Sequence, residues 1–153
     1  MTWWTVAVFI VTLIGAAILW AEETVRHLRM RFLARRLGFS YVGKRLPGAL
    51  SLYGTPFNPI TSILPANGID GDRNGIRVIA FDCEVVQKSG SWSRTVIAVK
   101  TSTKIFRAAS MHPDMKVDDS GGWKILYYPQ TTGPAKDHGL MPLVQLKSLL
   151  ESI

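Results

Sequence analysis

Residues 1–21, MTWWTVAVFIVTLIGAAILWA, carry no charged side chain, and this limits the fold more than any other feature of the chain. A helix from Trp3 to Trp20 would be about 27 Å long at 1.5 Å per residue. That nearly matches a hydrocarbon core of about 30 Å. Trp3 and Trp4 stand at one end and Trp20 at the other, where indoles favour the two membrane interfaces. A cleaved signal peptide would need a basic start and a small-residue cleavage site. No Lys or Arg precedes this apolar run, and Leu19 occupies a place that should be small. The reading is therefore a transmembrane anchor over 1–21, with Trp3, Trp4 and Trp20 at the membrane interface.

Charge orients the anchor. No Asp or Glu occurs between Thr24 and Ile69, while Arg26, Arg29, Arg31, Arg35, Arg36, Lys44 and Arg45 fall there. These seven basic residues equal the whole formal net charge of +7. A basic block beside a spanning helix marks its cytoplasmic side. The sequence thus predicts a single-pass protein of the cell membrane, with the N-terminus outside and the C-terminal domain cytoplasmic. Arg26, Arg29, Arg31, Arg35 and Arg36 are the expected contacts to anionic lipid headgroups, each worth about 1 kcal/mol near the surface. The excess charge is a juxtamembrane block, so nucleic acid is not an expected partner. Cys83 is the one cysteine, which excludes an internal disulfide and a cysteine-rich zinc site.

Past the anchor, residues 22–37 read as a basic juxtamembrane helix that ends at Gly38. Val25, Leu28 and Phe32 form one apolar stripe and Met30, Leu33 and Leu37 another, with arginines between them; the last turns of the helix are expected to pack on the following domain. "FSYV" (39–42) reads as a short strand. Pro47 to Gly75, with Pro47, Pro56, Pro59 and Pro65, reads as irregular, with "ALSLYG" as one short strand within it. In "IRVIAFDCEVVQK" (76–88), Ile79, Phe81, Cys83 and Val85 alternate on one face, while Ile76, Val78 and Ala80 give way to Asp82 and Glu84 on the other. Period-two alternation of this kind marks a strand. Residues 92–101 follow through a short glycine loop as a hairpin partner, and "WKILYY" (123–128) is a further strand. Leu143, Leu146, Leu150 and Ile153 give residues 142–153 the stripe of a covering helix. The expected class is α+β: an N-terminal transmembrane helix continuing into a juxtamembrane helix, then a small antiparallel sheet covered by a C-terminal helix, with 38–153 as the cytoplasmic domain.

Two constellations carry candidate chemistry. Asp70, Asp72 and Asn74, followed by Gly75, have the D-x-D-x-N-G spacing of a calcium loop. Position twelve, where an EF-hand needs a bidentate Glu, is Phe81. Asp, Asn and Gly also make tight turns for backbone reasons, so a turn is expected and a calcium-binding module is the alternative. Asp82 and Glu84 are neighbours on one strand face. With a loop histidine, His112 or His138, they are the candidate acid–base set of a membrane-anchored enzyme; otherwise they lie on a solvated sheet face. No cofactor motif is present, and Cys83 reads as a small core residue.

The segments "RRLGFSYVG", "NGIDGDRNGIRVIAFDCEVV", "TVIAV" and "GGWKILYYP" resemble a group of uncharacterised bacterial single-pass membrane-anchored proteins with a small β-rich domain. Cys83 stands where that group has an aromatic residue after "FD". The resemblance implies the architecture and no activity. The functional expectation is a binding or scaffolding module, its partners being the bilayer with its anionic headgroups and a further membrane protein.

Overall fold

Helix α1, Trp3–Leu37, runs 35 residues without a break, about 52 Å at 1.5 Å per residue. The computed structural model describes residues 3–57, 62–87, 90–100, 114–129 and 139–153. The N-terminal half of α1 is long and apolar enough to cross a membrane, and its side chains stand clear of the rest of the chain. The expected anchor and juxtamembrane helix are thus one element. It ends where Gly38 takes a φ of 73°. The Gly38 N–H then reaches the Arg35 carbonyl at 3.3 Å and the Phe39 N–H reaches Ala34 at 2.8 Å. This left-handed cap suits glycine because it has no Cβ, and it turns Phe39 into the core.

Among the described residues six strands follow: β1 (Ser40–Gly43), β2 (Ser62–Arg73), β3 (Ile76–Gln87), β4 (Gly90–Lys100), β5 (Lys116–Ser120) and β6 (Trp123–Tyr127). All neighbours are antiparallel, in the order β1-β2-β3-β4-β6-β5. Helix α2, Leu143–Ser152, closes the chain. The class is α+β, as the hydrophobic pattern predicts.

Both faces of the sheet are buried, which the alternation in β3 explains. Val78 and Ala80 point to one side, where Met30, Leu33 and Ala34 of α1 and Leu146, Leu149 and Leu150 of α2 cover them. Ile79, Phe81, Cys83 and Val85 point to the other, under Leu52 and Phe57 of an irregular segment. That segment is pinned by side chains of the β5–β6 hairpin. Trp123 Nε1 donates to the Ala49 carbonyl at 3.0 Å, and Ser120 Oγ donates to Tyr53 at 2.7 Å.

Three expectations are corrected. Residues 62–73 form a full strand rather than irregular chain. Pro65 fits there because β1 pairs only with Gly68–Asp70, leaving Pro65 at an open edge where its missing N–H is tolerated. "ALSLYG" is turn and irregular chain, not strand, and covers the second core. β5 was not expected: "KVDDS" offers Val117 as its single apolar residue, and its pairing with β6 holds it in place.

Candidate functional site

Asp82 lies in the middle of β3, opposite Ala66 of β2 and Thr95 of β4, on the face turned toward α1. It is 4% exposed. The expectation of a solvated sheet face is therefore corrected: α1 and the chain entering α2 cover this end of the strand. Arg26 reaches in from α1, its Nε donating to Oδ2 at 2.6 Å and its Nη2 to Oδ1 at 2.8 Å. Thr95 Oγ1 donates to Oδ1 at 2.7 Å, and Asn67 Nδ2 donates to Oδ2 at 3.1 Å. The Thr95 oxygen in turn accepts the Met141 N–H at 2.9 Å, while Arg26 Nη2 also reaches the Met141 carbonyl at 3.2 Å. One carboxylate thus ties α1, β2, β3, β4 and the entry to α2. Such a pair is stable in the interior only when its remaining donors and acceptors find partners; here both Asp82 oxygens and the Arg26 Nε and Nη2 groups are engaged.

Asn67 arrives by a β-bulge. The β2–β3 register slips by one residue between Ala66 and Ile69, and Asn67 takes a φ of 51°. The bulge re-aims its side chain. A second link follows: Tyr41 OH lies 3.3 Å from Asn67 Oδ1 and 2.8 Å from His27 Nδ1. The proton directions follow from chemistry. A carboxylate only accepts, so Asn67 turns its amide nitrogen to Asp82 and its Oδ1 to Tyr41. Tyr41 donates to Asn67 Oδ1, and the imidazole tautomer of His27 sets the direction of its 2.8 Å bond to the same hydroxyl. Burial, with the Asp82 charge as a smaller cause, raises the Tyr41 pKa.

The second feature is a groove between α1 and α2. Val25, Leu28, Phe32, Leu143 and Val144 give it apolar walls, and Arg26, Arg29, Arg36 and Lys147 line it with positive charge, around about 960 Å³. Phe32 is 69% exposed and Val144 is 81% exposed, large apolar surfaces beside the point where the helix leaves its apolar half. Of the two stripes read in residues 22–37, the one with Met30 and Leu33 enters the core and the one with Val25, Leu28 and Phe32 forms the groove.

The remaining candidate residues separate. Trp3, Trp4 and Trp20 are exposed at the two ends of the apolar half of α1. The five arginines do not act alike: Arg26 turns inward onto Asp82, Arg29 and Arg36 line the groove, and Arg31 and Arg35 are exposed outside it. Asp70, Asp72 and Asn74 form the end of the β2–β3 hairpin, where Asn74 and Gly75 take φ values of 51° and 76°. Two positive φ values make the mirror-image turn that matches strand twist, and Asn-Gly is its favoured pair. Asp70 is bound by Arg77 through Nε at 3.1 Å and Nη2 at 2.8 Å. Among the described residues, no three His, Cys, Asp or Glu side chains group closely enough to hold a metal ion.

Glu84 is half-buried one position pair beyond Asp82, whose two oxygens are already engaged. His112 and His138 lie outside the described residues. Cys83 is buried in the second core, and burial first, then the Asp82 charge, pushes its thiol up to about 12. Sequence reasoning missed Asn67, Thr95 and the Met141 backbone. The Asn67–Gly68 pair was visible, but a bulge and a turn use the same residues.

No protein-family model, curated protein or solved structure matches this chain. What the site can do is therefore read from these residues alone.

Proposed function

We propose that this is a single-pass membrane protein whose domain faces the cytoplasm and works as a binding module, with the α1–α2 groove as its docking face. The observation that carries this reading is the Arg26–Asp82 pair. It fixes the helix leaving the membrane to the middle of the sheet, so the groove is held at a set height above the bilayer. Counting 1.5 Å per residue from Trp20, Val25 lies about 8 Å and Arg36 about 24 Å further along the axis. The basic block after the apolar segment supports the cytoplasmic side.

The arginines divide the work by height. Helical side chains angle back toward the N-terminus, which brings Arg29 and Arg31 nearest the anionic headgroups. Arg35 and Arg36 act on the surface only through a field screened over about 8 Å at physiological salt. Arg26 is held by Asp82 and acts as a positioning residue.

The test uses the full chain extracted from its membranes in mild detergent. Native electrophoresis should show a species larger than the monomer. Phe32→Asp combined with Val144→Asp should reduce it to the monomer, with thermal stability retained because both side chains are exposed. A wild-type chain that runs as a monomer would count against the reading.

A further inference from the structure

Resting on that docking reading, we infer that the groove receives an acidic amphipathic helix, about three turns long, from another membrane-associated protein. Length is the first argument. From Val25 to Arg36 the α1 wall spans about 17 Å, three turns of a partner helix. Two helices flanking an apolar floor form the usual seat for a third, which reads out as anchors at i, i+3, i+4 and i+7.

Charge is the second argument. The lining holds four cations and no carboxylate. Arg26 is engaged by Asp82, and Lys147 is only loosely paired, its Nζ 3.5 Å from Glu151. Arg29 and Arg36 stand seven residues apart, two turns along one face, and fit two carboxylates at the same spacing on the partner. A second copy of this chain would bring the same positive rim to the contact, and like charges facing each other select against that pairing.

Height is the third argument. The headgroup layer is only about 5–8 Å deep on each side. Phe32 lies about 18 Å beyond Trp20 along the axis, so a lipid held in the bilayer reaches the near end of the groove and not its floor.

The experiment places the photo-crosslinker p-benzoylphenylalanine at Phe32 in the full chain, in its native membranes, and sequences the captured peptide. The expected product is a segment with carboxylates seven apart beside apolar residues at helical spacing. Arg29→Glu with Arg36→Glu should lower its yield about tenfold or more, since like charges would then face each other across the interface. Lipid adducts alone, a second copy of this chain, a captured segment without an acidic face, no adduct, or a yield indifferent to charge reversal would each overturn the inference. If the native complex persists while the captured segment is not acidic, the inference falls and the docking reading stands. If no complex exists, both fall.

Discussion

Arg26 and Asp82, 56 residues apart in the chain, close a two-bond fork at 2.6 and 2.8 Å between helix α1 and the centre of the sheet. The Asp82 side chain is 6% exposed and the Arg26 side chain 19%. The fork joins the sheet to a helix whose N-terminal half is long and apolar enough to cross a membrane.

Removing the cation should cost more than removing the anion. Arg26→Met strands a buried carboxylate with only Thr95 and Asn67 to donate to it, an effect of roughly 3 kcal/mol. Asp82→Asn keeps an acceptor for Arg26 and leaves a guanidinium that can turn partly to water, so its loss should be smaller. Denaturant unfolding in detergent measures both. Equal, negligible losses would remove the pair as the link between helix and sheet.

At the hairpin tip, backbone conformation should outweigh charge. Gly75→Val forces a β-branched residue to a φ of 76°, at a cost on the order of 1–3 kcal/mol. Asp70→Asn with Asp72→Asn gives up the pair with the partly exposed Arg77 side chain, worth about 1 kcal/mol or less after solvent screening. Thermal melts should rank them in that order, and added calcium should leave the wild-type midpoint unchanged. A calcium-dependent rise lost in the double variant would favour the metal-loop alternative.

Cys83 predicts an alkaline limit on stability. Its folded thiol is held up at about 12 against an ordinary 9.0. Below the unfolded value both states are protonated and the stability is fully present. As pH rises from 9 toward 12 the unfolded chain loses the proton more readily, so stability is lost across that window. Cys83→Ala should flatten this part of the curve, leaving the slope due to Tyr41, Tyr127 and Tyr128, whose pKa values are also raised by burial. At pH 8 the folded thiol should resist a disulfide reagent that labels the unfolded chain rapidly. Rapid labelling of the folded protein would contradict its burial.

The sheet was legible where period-two alternation is strong. Ile79, Phe81, Cys83 and Val85 announce β3 and assign its second face correctly. β5 was hidden because a short polar strand is specified by its neighbour rather than by its own residues. β2 was obscured by Pro65 and by Asn67–Gly68, which signal turns in isolation and here mark an open edge and a bulge. The same ambiguity hid the site. Asp82 looks solvent-facing in sequence because nothing local shows that Arg26, 56 positions earlier, returns to neutralise it. The two stripes of α1 were visible, but which one the core would take depends on where α2 docks.

Topology is open to a direct test. A reporter fused after Ile153 should be active only as a cytoplasmic fusion, because the net positive charge follows the apolar segment. Activity of a reporter that works only on the outer side would reverse the orientation and place the groove on the opposite side of the membrane.

The central claim, that the groove stands off the bilayer on a rigid extension of the anchor, is tested most directly by depth. Nitroxides placed at Val25→Cys and Phe32→Cys, in a Cys83→Ala background, can be ranked in anionic nanodiscs by accessibility to oxygen and to a water-soluble nickel chelate. Seven residues of continuous helix predict that position 32 lies about 10 Å farther into water than position 25. Equal depths at the two positions, both in the headgroup layer, would mean that the groove lies on the lipid, and would contradict the account.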